Sequence, residues 1–162
     1  MKVKMKGNPA ELKGSQPIIG VNAPDFSLEN LENNLISLKD LKGEKVLLSV
    51  FPDITTSVCD AQTRHFFEKA DEYGDLKIIN ISNNSKDQLS DWCATNDIDV
   101  EMLSDVDLDF AHAYGLYIPD FGILARAVFV IDENGILAYK EILEELTDEP
   151  DYEAAFEAVE AL

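Results

Sequence analysis

Three short apolar runs constrain the fold of this chain more than any other feature of its sequence. They cover residues 45–51, 77–82 and 126–132. Runs of this length predict buried strands of a sheet, and the helical composition of residues 57–73 and 85–96 places a helix after each of the first two runs. The chain therefore begins its central part in the order strand, helix, strand, helix, which favours an α/β protein.

Weaker signals extend this order toward both ends of the chain. Lys2–Lys6 alternates polar and apolar residues and predicts a strand that turns at Gly7–Pro9. Asn134–Gly135 predicts a second hairpin near the end, and Asp151 is placed to cap a final helix. The order predicts a single domain over residues 1–162 with an N-terminal β-hairpin. A thioredoxin-like sandwich, with a mixed central sheet flanked by helices, fits it.

The charge of the chain excludes several classes of partner. Its 162 residues carry a formal net charge of −19, so an acidic surface would repel nucleic acid and anionic membranes. No apolar run approaches the length of a membrane span, and no apolar segment of a signal peptide follows Met1–Lys6. We therefore expect a cytoplasmic protein. In that reducing compartment its two cysteines, Cys59 and Cys93, favour a metal or redox role over a structural disulfide.

The residues before Cys59 give this thiol a specific setting. Pro52 ends the first apolar run, a polar loop follows, and Cys59 falls in the first turn of the next predicted helix. Free backbone N–H groups and the helix dipole at such a position favour a thiolate, which is the reactive form of cysteine. Thr56 is placed to offer its hydroxyl to the sulfur or to a bound oxygen atom. The alternative is that Cys59 is a small buried apolar residue.

Other cysteine chemistries fit the sequence less well. No two of Cys59, Cys93, His65 and His112 have the close spacing of a zinc site, so no metal is expected. Neither histidine is placed as a base for a cysteine hydrolase, and we interpret both as surface or core residues. A Cys-x-x-Cys motif is absent, so ordinary dithiol exchange is not indicated.

The segment Pro52-x-x-x-Thr56-x-x-Cys59 resembles the active-site motif of the peroxiredoxins. Cys93, on the following predicted helix, has the spacing typical of the thiol peroxidase branch, the atypical two-cysteine peroxiredoxins. Arg126 stands in a segment similar to the arginine-bearing strand of that branch. Further segments similar to the branch are Lys6–Pro9, Arg64, Val130–Asn134 and Glu149–Ala155. The positions that depart from its usual residues are Thr55, Ser57 and residues 120–124.

The resemblance implies a thioredoxin-dependent peroxidase that reduces hydrogen peroxide and organic hydroperoxides without a cofactor. Cys59 would attack the hydroperoxide, with Thr56, Arg126 and Pro52 completing the catalytic site. Cys93 would be the resolving cysteine and form an intramolecular disulfide with Cys59, which thioredoxin reduces. The family also suggests a homodimer.

Some alternatives stay open on the sequence alone. Arg126 could be a structural ion-pair partner, although burying it would be costly without a nearby anion. Arg64 could support the site or be a surface charge. Cys93 could belong to the buried, apolar face of its helix and still act as the resolving cysteine once that helix frays. The whole chain could be a thioredoxin-fold redox sensor or chaperone that uses the same disulfide without rapid turnover.

Overall fold

The computed structural model describes residues 1–162, which form eleven strands and four α-helices. The strands are β1 (Lys2–Met5), β2 (Asn8–Glu11), β3 (Ser27–Glu29), β4 (Leu35–Ser37), β5 (Lys45–Val50), β6 (Leu76–Ser82), β7 (Met102–Ser104), β8 (Tyr117–Ile118), β9 (Ile123–Leu124), β10 (Ala127–Ile131) and β11 (Leu137–Ile142). The helices are α1 (Ser57–Lys69), α2 (Lys86–Asn96), α3 (Asp109–Ala113) and α4 (Tyr152–Glu160).

Five of these strands form the central sheet, in the order β11-β10-β5-β6-β7. Strands β5, β6 and β7 are parallel, and β10 runs antiparallel to both β5 and β11. The three apolar runs of the sequence form β5, β6 and β10, which are the three inner strands. The predicted mixed sheet of an α/β protein is therefore confirmed.

Side chains on the two faces of the sheet pack against different layers. Phe129 belongs to the larger core, with the aromatic residues of α3 and the loops that cover that face. Its neighbour Val128 faces the other way, toward Phe66 of α1 and Phe156 of α4. Because successive strand residues alternate between faces, β10 supplies both layers. Burial of each such large apolar side chain contributes about 1.5–3 kcal/mol.

A third, smaller apolar cluster lies at the carboxyl end of β5, between α1 and α2. It contains the buried side chains of Phe51, Ile54, Cys59, Leu89, Trp92, Ile98 and Met102. Cys93 is partly buried and packs against this cluster. Both cysteines of the chain therefore lie in or beside one small core region.

The hairpins at the two ends of the chain are both formed. Strands β1 and β2 pair antiparallel, but the turn lies at Lys6–Gly7, where both residues have positive φ, while Asn8 and Pro9 belong to β2. The predicted turn at Gly7–Pro9 is thus placed too late, because a two-residue turn with two positive φ angles matches the strand twist. Lys4 donates its N–H to Glu144 O at 2.7 Å, so the hairpin contacts the C-terminal part of the chain.

Several predicted boundaries shift by a few residues. Helix α1 ends at Lys69 and continues as a short 3₁₀ turn over Ala70–Glu72, earlier than the predicted end at Tyr73. A capping box begins α2, with the Ser85 side chain accepting from the Gln88 N–H. Strands β4, β8 and β9 were not predicted, since two or three residues are too few to establish an alternating pattern.

Candidate active site

A tight turn carries the chain from the end of β5 into α1. Pro52 is buried two positions after the end of β5, and the N–H of Thr56 donates to Asp53 O at 3.1 Å to close the turn. Thr56 is the N-cap residue, with extended backbone, and the first intrahelical bond runs from the Asp60 N–H to Thr56 O. Cys59 therefore lies in the first turn of α1, as predicted, where backbone N–H groups lack intrahelical partners.

The sulfur of Cys59 is enclosed and faces hydrogen-bond donors. The residue has 0% exposure. Arg126 Nη1 donates to Cys59 Sγ at 3.3 Å, and the N–H of Asp53 approaches the same sulfur at 3.5 Å. None of the five main surface cavities is lined by Cys59 or Arg126. The sulfur of Cys59 is thus enclosed in this structure.

Arg126 is itself buried and is held in place from three directions. Only 2% of the residue is exposed. Besides Cys59, its guanidinium donates from Nε to Leu146 O and from Nη1 to Gln62 Oε1, both at 2.9 Å. No carboxylate lies within salt-bridge distance of Arg126. The alternative role as a structural ion-pair partner is therefore not observed, and Cys59 is the one ionisable side chain that the guanidinium contacts.

Gln62 is a site residue that the sequence analysis missed. Its amide nitrogen donates to Ser49 Oγ at 2.8 Å and to Val50 O at 3.2 Å, which leaves its oxygen free to accept from Arg126. Gln62 lies three positions after Cys59, so the two share one face of α1. A glutamine on the buried face of a helix was the signal that could have indicated it, because buried polar groups need partners.

The hydroxyl of Thr56 does not contact the sulfur, which is one of the two acceptors predicted for it. Its hydroxyl donates to Asp53 O at 2.8 Å within the turn, and the residue is exposed. A hydroxyl carries a single proton, so Thr56 donates no hydrogen bond to the sulfur in this structure. The residue lies at the solvent side of the turn.

Asn84 joins the turn before α1 to the start of α2. The buried Asn84 side chain accepts from the Ile54 N–H at 3.0 Å and donates to Asp53 Oδ1 at 3.0 Å. It also donates to Gln88 Oε1 at 3.1 Å, in the first turn of α2. Burial alone would raise the pKa of Asp53, but hydrogen bonds from Asn84 and Thr55 hold that pKa below its usual value. An ionised Asp53 therefore anchors the peptide whose N–H faces Cys59.

Cys93 has surroundings opposite in character to those of Cys59. It is a free thiol near the end of α2, half-buried, with no cation beside it. Burial raises the pKa of the Cys93 thiol, and the negative charge of Asp99 raises it further. The structure thus brings Cys93 to the apolar cluster that contains Cys59, with both thiols reduced.

The remaining singled-out residues lie outside the Cys59 site. Arg64 contacts α2 and touches neither cysteine nor Arg126. His65 stacks on Tyr152 with ring centroids 3.7 Å apart, and His112 is exposed at the edge of Tyr117. No group of three or more His, Cys, Asp or Glu side chains could hold a metal ion.

A family model provides an independent comparison. Residues 19–140 match the model of the AhpC/TSA family. The chain belongs to this family. The thiol peroxidase of Bacillus subtilis (strain 168) is a relative that is 45% identical over 164 residues, covering 99% of this chain and 97% of that protein. The thiol peroxidase of Staphylococcus haemolyticus (strain JCSC1435) is 43% identical over 158 residues, covering 96% of each chain.

Solved structures agree with this assignment to the AhpC/TSA family. A peroxiredoxin-like protein from Aquifex aeolicus matches with a TM-score of 0.89 at 28% identity, over 99% of this chain and 97% of that one. A thiol peroxidase from Chromobacterium violaceum has a TM-score of 0.90 at 20% identity, over 99% and 96%, which shows the same fold. The resemblance to the thiol peroxidase branch and the thioredoxin-like fold are therefore confirmed. None of the helices is long and apolar enough to cross a membrane.

Proposed function

We propose that the chain is a thiol-dependent peroxidase in which Cys59 reduces hydroperoxides and Cys93 then forms a disulfide with the oxidised Cys59. One observation carries the assignment of Cys59. A buried guanidinium without a carboxylate partner places Nη1 3.3 Å from Cys59 Sγ. Because a buried cation is stabilised by a nearby anion, Arg126 favours the thiolate that attacks the substrate.

The first step is the transfer of one oxygen atom to sulfur. The Cys59 thiolate attacks the terminal oxygen of a hydroperoxide ROOH, forming an S–O bond as the O–O bond breaks. The electron pair of the O–O bond leaves on RO⁻, which takes a proton from solvent and departs as an alcohol, or as water when the substrate is hydrogen peroxide. Cys59 becomes a sulfenic acid.

The surrounding groups have separate roles in this step. Arg126 and the N–H of Asp53 both donate toward the sulfur, so they are placed to stabilise charge as it moves onto the oxygens. Pro52 is buried beside the turn and limits the access of water to the site. Thr56 would act after its hydroxyl rotates from Asp53 O toward a bound hydroperoxide.

The second step closes a disulfide between the two cysteines. The sulfur of Cys93 attacks the sulfenic sulfur of Cys59, the S–S bond forms, and the hydroxide that leaves combines with the thiol proton as water. Bridged cysteines need Cα atoms within about 7 Å, so we expect local unwinding around residues 57–62 and 88–96. A dithiol then returns two electrons and two protons. By family resemblance this reductant is thioredoxin.

Further features of the proposal rest on the resemblance and on the sequence. The chain would act as a homodimer in the cytoplasm, without a cofactor and without binding nucleic acid or membranes. Residues 1–162 would fold as one domain, which is supported by the hydrogen bonds that join Lys4 of β1 to Glu144 and Leu146. Sedimentation of the purified chain would measure the oligomeric state.

Peroxide consumption in the presence of thioredoxin and its reductase tests the function. We expect many turnovers per chain, no turnover with Cys59→Ser, and one oxidation without disulfide for Cys93→Ser. Peptide mass analysis without reductant should show a Cys59–Cys93 link in the unsubstituted chain. A single stoichiometric oxidation with no turnover would instead support the redox sensor, and a lasting Cys59 sulfinic acid without the link would contradict the role of Cys93.

A further inference from the structure

Four side chains connect α1 to α2 beside the two cysteines, and the proposed chemistry uses none of them. Asp60 and Arg64 lie on α1, and Trp92 and Asn96 lie on α2. We call this group the α1–α2 clamp. Asp60 directly follows Cys59, and Trp92 directly precedes Cys93, so the clamp adjoins both cysteines.

The clamp is a closed ring of polar contacts. The Arg64 guanidinium donates from Nε to Asp60 and from Nη2 to Asn96. Trp92 Nε1 donates to the other Asp60 oxygen at 3.3 Å, and Arg64 Cζ lies 5.6 Å from the centre of the Trp92 ring. Asn96 Nδ2 donates to Trp92 O at 2.8 Å, inside the last turn of α2.

These contacts hold the part of α2 that carries Cys93. The carbonyl of Cys93 accepts from the N–H of Ile98 at 3.1 Å, so Cys93 takes part in the hydrogen bonds that close the end of α2. Arg64 fixes that end to α1 through Asn96 and the Trp92 ring. Movement of Cys93 toward Cys59 therefore requires that these contacts separate.

We propose that the α1–α2 clamp sets the rate of disulfide closure, with Arg64 as a positioning residue that keeps α2 wound while Cys59 meets its substrate. This inference rests on the proposed function. The free energy of the clamp contacts adds to the activation barrier of disulfide closure. It does not add to the barrier of oxygen transfer to Cys59, because that step takes place with both helices folded. The side chains of Arg64 and Asp60 are 40% and 33% exposed, so the clamp is weak enough to open during turnover.

Single-turnover measurements on the full chain separate the two steps. Trp92 is the only tryptophan and precedes Cys93, so its fluorescence reports the unwinding of α2 after peroxide is mixed. Acid quenching followed by mass analysis measures sulfenic acid and disulfide directly. The variant is Arg64→Met, which keeps the aliphatic stem. The matched control is Lys69→Met, which removes another cation of α1. The ion pair of Lys69 is a local one with Glu72, three positions later.

For Arg64→Met we expect sulfenic acid formation within about twofold of the unsubstituted chain, because Arg64 does not touch the sulfur. Disulfide closure should be about fivefold faster, and the yield of sulfinic acid at high peroxide should fall, since the sulfenic acid lives for a shorter time. Lys69→Met should leave both rates unchanged. Arg64→Lys, which keeps the charge but cannot reach two acceptors at once, should give an intermediate closing rate.

Closure that is unchanged or slower in Arg64→Met would overturn the clamp. A second variant from the other helix, Trp92→Phe, keeps the apolar packing and removes the bond to Asp60, and mass analysis should again show faster closure. Failure of peroxide to oxidise Cys59 in the unsubstituted chain would overturn the proposed function itself. Normal oxidation of Cys59 with identical closing rates in all variants would overturn only the clamp.

Discussion

Cys59 and Cys93 pack at one small apolar cluster, yet their surroundings differ in almost every respect. Cys59 is fully buried at a helix start, with a guanidinium and a backbone N–H directed at its sulfur. Cys93 is half-buried near a helix end, without a cation, and Asp99 adds negative charge nearby. The comparison teaches that two thiols at one apolar cluster can have opposite electrostatic surroundings, and this difference supports the separate roles that we propose for them.

Removal of the guanidinium should have the largest effect on this difference. In Arg126→Met we expect Cys59 oxidation to slow by about 100-fold or more, because Cys59 loses its charged donor and Gln62 loses its partner. Stopped-flow oxidation by hydrogen peroxide measures this rate, with the circular dichroism of the variant as a check on folding. A rate within about threefold of the unsubstituted chain would mean that Arg126 does not distinguish the two cysteines.

Removal of Asn84 should weaken the Cys59 site indirectly. Asn84→Ala leaves the Ile54 N–H without its acceptor and Asp53 without its anchor, so we expect about tenfold slower oxidation and a stability loss of about 2 kcal/mol. Asn84→Asp still accepts from Ile54 but cannot donate to Asp53, which makes it the matched control. Equal oxidation rates for Asn84→Asp and the unsubstituted chain would show that the contact with Asp53 has no part in placing the turn.

The pH dependence of Cys93 alkylation tests the other half of the comparison. The thiolate is the form that iodoacetamide modifies, and a raised pKa moves its formation to higher pH. In Cys59→Ser, therefore, Cys93 should react at pH 7 several times more slowly in the folded chain than in the same chain in denaturant. The two rates should converge as the pH rises above the raised pKa. Equal rates at pH 7 would contradict the assigned surroundings of Cys93.

The smallest expected effect concerns the charge next to Cys93. In Asp99→Asn, in the Cys59→Ser background, the pKa of Cys93 should fall because a repelling charge is gone. Alkylation at pH 7 should then rise, by less than about twofold, since solvent screens this partly exposed pair. Asp97→Asn is the control, because Asn is also tolerated at its left-handed helix cap. Equal increases in both variants would show a general effect of net charge.

Much of the site's local geometry could be predicted from short stretches of sequence. Pro52 ends a buried strand and the helix that follows begins at Ser57, so Cys59 had to fall in a first helical turn. The capping box of Ser85 and Gln88 likewise fixed the start of α2. Neighbouring residues determine such features, because strand ends and helix caps depend on backbone groups only a few positions apart.

The hydrogen-bond partners of the side chains could not be predicted in the same way. Thr56 was expected to offer its hydroxyl to the sulfur or to a bound oxygen atom, but in this structure the hydroxyl closes the turn on Asp53, since a local carbonyl competes for its one proton. Arg64 was left open between site and surface, and it binds α2 instead. These outcomes depend on which acceptor lies nearest in space.

The sequence by itself determined the order of strands and helices, the cysteine at a helix start and the family resemblance, because each depends on residue types at fixed local spacing. Only the tertiary structure decided that Arg126 meets Cys59 across 67 positions and that Gln62 and the Leu146 carbonyl complete its surroundings. The physical reason is that β10 lies beside β5 in the sheet, which brings the start of one strand to the helix that follows the other. The pairing of β10 with β5 brings the buried Arg126 into contact with the buried Cys59.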